Sequence, residues 1–419
     1  MTEQKQVIPE GYKQTEIGVL PEDWISGSLG DNTINIGSGR TSTKGSGDYP
    51  LFGSTGVIGS CLNGEYEGDA ILVARVGANA GKINFVTGKY GVSDNTIIVK
   101  FKNSVDIAYF RYQLDRKNLN TLVFGSGQPL ITGSQLKEIL FPLPPKYEQT
   151  AIANALSDVD ALISELEKFI AKKQAIKTAT MQQLLTGKTR LPPFSLREDG
   201  TPKGYKASEL GEIPEDWDVR SVYDLAENQK SLFDDGDWIE AEHITDKGIR
   251  LIQTGNIGIG VYVEKEAKKY IYESSFEKLK CKELRIGDLL ICRLAEPAGR
   301  ACIMPSIGEE KVITSVDVTI FRPINELADR RFLLQYFSSI EWFKSVQEQV
   351  GGTTHKRISR GALGKILIIY PSMKEQTAIA AILSDMDVEI QTLQQRLNKT
   401  RQIKQGMMQE LLTGKTRLI

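Results

Sequence analysis

The tripeptide Gly-Lys-Thr occurs twice in the chain, each time inside the identical octapeptide LLTGKTRL, at residues 184–191 and 411–418. It resembles the end of the loop that wraps nucleotide phosphates with backbone N–H groups, but that loop needs a glycine five residues before the Gly-Lys glycine. Gln182 and Gln409 occupy these positions, and a third pair, Gly81-Lys82, is followed by isoleucine instead of the Ser or Thr that binds magnesium. We therefore predict no nucleotide site here.

A second group of polar residues carries side chains suited to nucleic acid. Arg, Lys, Asn and Gln match base edges in the major groove, and Arg and Lys also neutralise phosphates. Residues at predicted strand ends and in loops of two regions are candidate DNA contacts: Arg40, Lys44, Arg75, Asn79, Lys82, Asn95, Gln128, Gln253, Asn256, Arg293, Arg300, His355, Lys356 and Arg357. Any one of them, taken singly, is better explained as a surface residue or a turn former, so the prediction concerns the group.

Within this group, the loop that holds His355, Lys356 and Arg357 is the strongest candidate, because it lies beside the glycines at 351 and 352. Arg75 and Arg293 come next, since each follows a similar predicted strand. The two histidines, His243 and His355, are too far apart in sequence to suggest a metal pair. The four cysteines form no Cys-x-x-Cys pair and are expected to be reduced thiols. We predict neither a metal site nor a catalytic residue.

The charge balance limits what the chain can bind alone. It has 52 Lys and Arg against 53 Asp and Glu, a net charge of −1. A protein that holds DNA by itself is usually basic or has a basic stripe, so DNA binding must rest on local patches or be shared with a basic partner. No apolar run approaches the roughly 18 residues of a membrane span, and the N-terminal residues lack the apolar core of a signal peptide. We expect a cytoplasmic chain without membrane association.

A long internal repeat must position these residues. EQTAIA at residues 148–153 returns 227 residues later, and the offset holds without a gap to the end of LLTGKTRL. Upstream, GYKQTEIGVLPEDW at 11–24 returns as GYKASELGEIPEDW at 204–217. The order is a short motif, a variable region and a helix block, twice. Four parts are predicted: an N-terminal segment with the first variable domain (1–146), a central helix (147–190), a linker with the second variable domain (191–373) and a C-terminal helix (374–419).

The two helix blocks show matching heptad seams, with apolar residues at alternating steps of four and three. The seam residues are Ile152, Leu156, Val159, Ile163, Leu166 and Ile170 in the first block, and Ile379, Leu383, Met386, Ile390, Leu393 and Leu397 in the second. A looser continuation is expected through Ile176 and Leu184 in the first block, and through Ile403 and Leu411 in the second. Each block ends at Thr-Gly, where glycine can adopt the left-handed cap. We predict two helices of about 38 residues, roughly 55 Å long, paired in antiparallel fashion about a pseudo-twofold axis.

Both variable regions read as α/β (α+β). Strands are predicted at 70–75 and 95–101 in the first region and at 289–294 and 317–323 in the second, with helices near 108–114 and 332–343. Scattered matches link the regions, among them Gly81-Lys82 with Gly299-Arg300 and Ser93 with Ser315. The predicted fold class is therefore two globular α/β (α+β) domains of related fold, joined by two long antiparallel coiled-coil helices. We call the two globular domains heads. Because their sequences differ at most positions, the two heads should recognise different things.

This layout resembles the specificity subunits of type I restriction-modification systems over essentially the whole chain. The resemblance rests on the two GYKxxExGxxPEDW segments, the two PxxxEQxAIA helix starts at 144–153 and 371–380, and the two LLTGK helix ends. It implies that each variable region is a target recognition domain that reads one half of an asymmetric, split site in double-stranded DNA. It also implies that the helices form a coiled coil that spaces these domains and docks two methyltransferase subunits.

The resemblance further implies adenine methylation by partners that use S-adenosylmethionine, and cleavage that needs ATP and magnesium where two restriction subunits join. This chain lacks the Asn/Asp-Pro-Pro-Tyr/Phe motif that holds a flipped adenine; its nearest string is Leu-Pro-Pro-Phe at 191–194. We predict a non-catalytic chain that binds no cofactor itself. The alternative is a coiled-coil adaptor that joins two proteins without a DNA role. The near-neutral charge favours the adaptor, whereas the similar strand-end arginines and the unlike heads favour DNA.

Overall fold

The computed structural model describes residues 8–42, 47–123, 130–294, 296–351 and 356–418. The chain divides into two compact units. The first comprises Met1–Lys168 together with Gln395–Ile419, and the second comprises Phe169–Gln394. The first unit therefore combines both ends of the chain, and each of the two long helices contributes one part to each unit.

The elements of the first unit fall in the order of two short hairpin strands, a run of sheet strands, two helices and a long helix. They are β1 (Tyr12–Thr15), β2 (Gly18–Pro21), β3 (Ile25–Ser28), β4 (Thr33–Ser38), β5 (Tyr49–Gly53), β6 (Gly56–Cys61), β7 (Tyr66–Glu67), β8 (Ala70–Ala74), β9 (Ile83–Val86), β10 (Lys89–Val92), β11 (Thr96–Phe101), α1 (Ile107–Arg116), α2 (Gly133–Lys137), β12 (Leu140–Leu143) and the beginning of α3 (Lys146–Leu185).

Two four-stranded sheets form the variable part of the first unit. One is antiparallel with the order β4-β11-β8-β9, and the other has the order β6-β5-β10-β7, in which β5 and β10 are parallel. Strand β8 is buried at all five positions, because the apolar run AILVA is covered on both faces of its sheet. The strands predicted at 70–75 and 95–101 are confirmed as β8 and β11.

The second unit repeats this order after the end of α3. Its elements are α4 (Pro192–Ser195), β13 (Tyr205–Ser208), β14 (Gly211–Pro214), β15 (Asp218–Ser221), β16 (Phe233–Asp235), β17 (Ile244–Thr245), β18 (Ile249–Ile252), β19 (Lys269–Ile271), α5 (Glu273–Leu279), β20 (Leu289–Cys292), β21 (Ala301–Ile303), β22 (Val312–Thr314), β23 (Val318–Phe321), α6 (Arg330–Tyr336), α7 (Ile340–Gln349), α8 (Arg360–Lys365), β24 (Leu367–Tyr370) and the beginning of α9 (Met373–Leu411).

The two units share the plan of the antiparallel sheet, but in the other sheet the parallel pair is central in the first unit and lies at one edge in the second. The second unit has an antiparallel sheet β16-β23-β20-β21 and a sheet β17-β19-β18-β22, in which β18 and β22 are parallel. The strands predicted at 289–294 and 317–323 are confirmed as β20 and β23. The prediction of a single helix near 332–343 is wrong, because this segment contains parts of two helices, α6 and α7. They are separated at Ser339, whose backbone is extended and whose hydroxyl caps the N-terminus of α7.

The two helix blocks are continuous helices of 40 and 39 residues, each about 60 Å long. In the first unit, Asp160 and Glu167 of α3 pair with Lys404 and Arg401 of α9. In the second unit, Lys173 and Lys177 of α3 pair with Glu389 and Asp387 of α9. In both units the residue numbers rise along α3 while they fall along α9, so the predicted antiparallel pairing is confirmed.

The residues of the predicted seam are buried or half-buried in both long helices. Ile152, Leu156, Leu166, Ile170, Ile379, Leu383 and Leu397 are buried, and Val159, Ile163, Met386, Ile390 and Leu393 are half-buried. Leu184 and Leu411 are buried as expected, but the continuation is wrong at Ile176 and Ile403, which are 42% and 49% exposed. Beyond them, the last turn of each helix packs into its own unit's globular core, where Leu184 joins Trp217 in the second unit. The buried face therefore stays on the heptad line, which passes through Leu184 and Leu411 and misses Ile176 and Ile403.

The repeated motifs meet in one cluster in the first unit. Arg417 donates to both carboxylate oxygens of Asp23, at 2.9 and 2.7 Å, and its Nε donates to Glu148 at 2.7 Å. The indole N–H of Trp24 donates to Glu148 at 3.0 Å, and the Arg417 guanidinium lies over the Trp24 ring. The PEDW motif, the start of α3 and the end of the chain are thereby joined.

The second unit forms the same cluster from Arg190, Asp216, Trp217 and Glu375, with bonds of 2.7 to 3.1 Å. We call each of these four-residue sets an arginine cluster. The octapeptide is repeated because each copy must end its helix and deliver an arginine to the same partners. Its glycine has φ of +73° in both copies, as the predicted left-handed cap requires.

The repeated Glu-Gln-Thr sequence, at residues 148–150 and 375–377, joins the start of each long helix to the head that precedes it. Gln149 accepts a hydrogen bond from the Asp106 N–H, and Thr150 donates to the Asp106 carboxylate, which in turn caps α1. Gln376, Thr377 and Asp329 repeat these bonds at the start of α6. The repeated sequences therefore supply the same contacts in both units, whereas the residues at the ends of the sheet strands differ between the units.

Candidate nucleic-acid interface

Antiparallel strands bring distant candidates to one edge of a sheet. In the first unit, β4 and β8 end at the same edge at which β9 and β11 begin. Arg75 follows β8, Lys82 precedes β9, Asn95 precedes β11, and Ser38 is the last residue of β4. We call these four positions the first strand edge. Arg40 lies two residues beyond Ser38, so the structure brings together four of the predicted contacts.

The first strand edge is positively charged. Lys82 and Arg40 are exposed, and Arg75 is half-buried. Among the described residues, the Arg75 guanidinium donates to a neutral group, the Ser38 hydroxyl, at 3.3 Å. Within the described ranges, none of these three cations has an acidic partner. Uncompensated cations beside an exposed amide, that of Asn95, are suited to phosphates and base edges.

Three other candidates of the first unit give less information. Asn79 is half-buried in the turn after β8, where its carbonyl accepts from the Lys82 N–H. Lys44 and Gln128 lie outside the described residues. The chain that comes after Gln128 returns to the first strand edge, because the Ile131 N–H donates to the Arg75 carbonyl at 2.9 Å.

The equivalent positions of the second unit are Asp235, Arg293, Arg300 and Asp317, which we call the second strand edge. The backbone establishes the equivalence: the Arg75 N–H donates to the Asn95 carbonyl, and the Arg293 N–H donates to the Asp317 carbonyl. The sheet register places Asp235 at the position that Ser38 holds in the first unit. Two carboxylates therefore replace an amide and a hydroxyl.

Those carboxylates change the role of Arg293. Its side chain is 3% exposed, its Nε lies 3.0 Å from Asp235, and its terminal nitrogens donate to the carbonyls of Val316 and Ile358. Burial lowers the pKa of the guanidinium, although Asp235 opposes this shift. The Arg293 side chain is therefore almost fully withdrawn from the surface at which the sequence predicts a DNA contact.

Two more predicted contacts serve the backbone instead. Arg300 donates to four carbonyls, those of Thr254, Ile257, Leu294 and Pro297. Asn256 is buried, accepts from the Gln253 N–H and donates to the Val263 carbonyl. Both side chains hold loops in place through these bonds, and a DNA contact by either one stays a prediction.

The remaining candidates of the second unit stay accessible. Lys356 and Arg357 are exposed, and Arg357 lies 3.1 Å from Asp317. His355 lies outside the described residues. Gln253 is half-buried and lines a cleft of about 410 Å³ beside the second strand edge. Trp238, Lys265 and Lys269 also line this cleft, and our sequence reasoning missed them. The available signals were a tryptophan in a polar loop and the lysine-rich run at 264–269.

Other kinds of site can be assessed for the parts of the chain that are described. There, no group of three or more His, Cys, Asp and Glu residues could hold a metal ion. No helix in those ranges is long and apolar enough to cross a membrane.

Known proteins share this organisation. A family model described as type I restriction modification DNA specificity domain matches residues 21–178 and 214–402. The chain is 28% identical to the type I restriction enzyme MjaVIII specificity subunit of Methanocaldococcus jannaschii, over 98% of this chain and 96% of that protein. It is 22% identical to the type I restriction enzyme EcoDI specificity subunit of Escherichia coli, over 91% and 85%. A crystal structure of the type I restriction-modification system S subunit from M. genitalium has the same fold, with a TM-score of 0.60 at 15% identity over 93% of this chain and 96% of that one.

Proposed function

Because the chain belongs to the type I restriction-modification DNA specificity family, we propose that each of its two variable regions reads one half of an asymmetric, bipartite DNA site. The observation that carries this proposal is the contrast between frame and strand edge. The arginine clusters are the same in both units, whereas the strand edges differ in charge: Ser38 and Asn95 stand where Asp235 and Asp317 stand. Two heads with unlike edges should read unlike sequences.

The catalytic groups belong to partners in this proposal. The helices dock two methyltransferase subunits that use S-adenosylmethionine to methylate adenine, and restriction subunits, where they join, supply ATP- and magnesium-dependent cleavage. Ile176 and Ile403 support this docking, because they are equivalent positions of the repeat and both are exposed. One apolar contact offered once in each unit suits two copies of one partner. The net charge of −1 also fits shared DNA binding, since this chain alone neutralises few phosphates.

A head exchange tests the proposal. Residues 218–374 are replaced by the corresponding region of a relative, the hybrid is expressed with its methyltransferase subunits, and methylated adenines are mapped across a genome by single-molecule sequencing. We expect one half-site to change while the other half-site and the gap between them stay the same. The matched control exchanges residues 25–146 and should change only the other half-site. A palindromic methylated motif would contradict the proposal that each head reads one half-site. A single exchange that changed both half-sites would contradict it as well.

A helix insertion provides the complementary test. Four residues inserted after Leu166 lengthen α3 by about 6 Å and rotate the remainder of the helix only slightly past one full turn. We expect the gap to grow by one or two base pairs, on the order of the roughly 3.4 Å rise per base pair, while both half-sites stay the same. An insertion that altered a half-site would show that the helix does more than set the spacing.

A further inference from the structure

The cleft beside the second strand edge contains groups that the proposed reading of DNA by exposed cations does not use. It has a volume of about 410 Å³ and opens between the loop after β16 and the segment after β18. Its walls carry an indole, two lysines and two carboxylates, those of Asp237 and Asp317, of which Asp237 accepts a hydrogen bond from the Lys282 N–H. This combination offers stacking, phosphate binding and hydrogen-bond acceptance within one concave site, which is of a size that holds small organic ligands.

Trp238 forms the aromatic wall. Its side chain is 68% exposed, and its indole N–H lies 3.3 Å from Glu240, so the ring is tethered without being buried. Tryptophan is enriched at interfaces, because its ring offers an apolar face together with an N–H donor. An indole beside a cationic groove is the arrangement on which proteins stack unpaired bases.

Two lysines line the cleft as well. Lys265 and Lys269 are exposed, and neither has an acidic partner in the described part of the chain. The Lys265 ammonium lies only 2.1 Å from the place that a Cβ at position 255 would occupy, so Gly255 is needed for the amine to rest there. The buried Arg250 donates to the Lys269 carbonyl and pairs with Glu264, which makes this wall rigid.

The acceptor in the cleft is Asp317. Its Oδ1 is buried and lies 3.1 Å from the Arg357 guanidinium, whereas the side chain as a whole is 27% exposed. The exposed part of the carboxylate can accept a hydrogen bond from a ligand that supplies an N–H. The exocyclic amines of cytosine and adenine are such donors.

We propose that this cleft binds a single amino-bearing nucleobase, extruded from the target duplex, stacked on Trp238 and donating its exocyclic amine to Asp317. The flanking phosphate contacts Lys265 and Lys269. This inference rests on the proposed reading of DNA and adds an extruded base to one of the two half-sites. It concerns the second unit alone, because the first unit has no tryptophan at the equivalent position. Thr41 and Asp237 are equivalent, since their N–H groups make matching backbone bonds. The residue after Thr41 is Ser42, whereas the residue after Asp237 is Trp238.

The test uses the full chain with its methyltransferase subunits and duplexes that carry the methylation-mapped site. A mismatch is placed at each position in turn, and the affinity is measured by fluorescence anisotropy. Extrusion costs less from a weakened pair, so we expect a mismatch opposite the extruded base to tighten binding about tenfold, whereas mismatches elsewhere weaken it. Trp238→Ala should abolish this gain and Trp238→Phe should retain most of it. Tyr272→Ala, which removes another exposed aromatic outside the cleft, should leave the gain unchanged.

The outcomes separate the two proposals. Specific binding without a tightening mismatch in the second unit's half-site, or a gain that persists in Trp238→Ala, overturns the cleft proposal alone. A gain located in the first unit's half-site overturns it as well. Failure to prefer the mapped site over unrelated DNA overturns the proposed function and this inference with it. Circular dichroism of Trp238→Ala establishes that the variant is folded.

Discussion

Arg75 and Arg293 occupy the same position in the same fold, and they do opposite things. Arg75 donates to Ser38 and has no acidic partner among the described residues. Arg293 is buried beside Asp235 and donates to backbone carbonyls. The difference comes from one neighbour two strands away in the sheet, because a carboxylate at that position makes burial of the guanidinium tolerable. Equivalent residues in duplicated domains therefore need not share a role.

The contrast predicts where each head makes its contacts. The first unit presents cations directly at its strand edge, in Arg40, Arg75 and Lys82. In the second unit the edge charges are compensated internally, and accessible groups lie beside it, in the cleft and at Lys356 and Arg357. A duplication that keeps the frame can thus relocate the reading surface by exchanging single residues.

The largest expected effect is on stability. Arg293→Ala leaves Asp235 without its closest cation and two buried carbonyls without donors, so we expect the free energy of unfolding of the second unit to fall by about 3 kcal/mol. Urea denaturation followed by tryptophan fluorescence measures this. Arg75→Ala is the matched control and should change the stability by less than about 0.5 kcal/mol. Equal losses in the two variants would contradict the assigned roles.

The next effect is on DNA affinity. Arg75→Ala should weaken binding of the assembled complex to its site about tenfold or more, as expected when one specific arginine contact is lost. Anisotropy titrations against the cognate duplex, and against one altered only in the first half-site, measure it. The variant should lose discrimination in that half-site alone.

Ser38→Asp sharpens the same prediction. It supplies the first unit with the carboxylate that the second unit has at this position, and it should compensate the Arg75 charge and weaken DNA binding to a similar degree. Ser38→Asn is the neutral control and should have little effect. If both substitutions weakened binding equally, the cause would be the size of the side chain and not its charge.

These residues also mark what the sequence could and could not reveal. The equivalence of Arg75 and Arg293 was visible in the matching strands, and the paired helices were visible in the heptad steps. The partner of Arg293 was not, because the register between β16 and β23 decides that Asp235 lies beside it. The same is true of the arginine clusters: the repeat showed that the letters mattered, but only the fold joins Arg417 to Asp23 and Glu148.

The smallest effect separates the two arginine clusters by their response to acid. Burial raises the pKa of Asp216, but hydrogen bonds from Arg190 and Lys203 outweigh it, and the pKa falls to about 2. The hydrogen bond from Arg417 lowers the pKa of Asp23, which accepts no bond from a second cation among the described residues. A carboxyl whose folded pKa lies below its unfolded value of about 3.9 contributes stability above that value, and loses it as the pH falls towards the folded pKa.

Asp216→Asn should therefore lower the free energy of unfolding at pH 7 by about 1 kcal/mol, a figure reduced because the side chain is 34% exposed. The deficit relative to wild type should shrink between about pH 4 and pH 2, where the wild-type carboxylate becomes protonated. Asp23→Asn is the matched variant. With a single cation bonded to its carboxylate, it should show a smaller deficit at pH 7, already disappearing at a higher pH. Urea unfolding across this range measures both, and a deficit for Asp216→Asn that stayed constant down to pH 2 would show that charge pairing is not its cause.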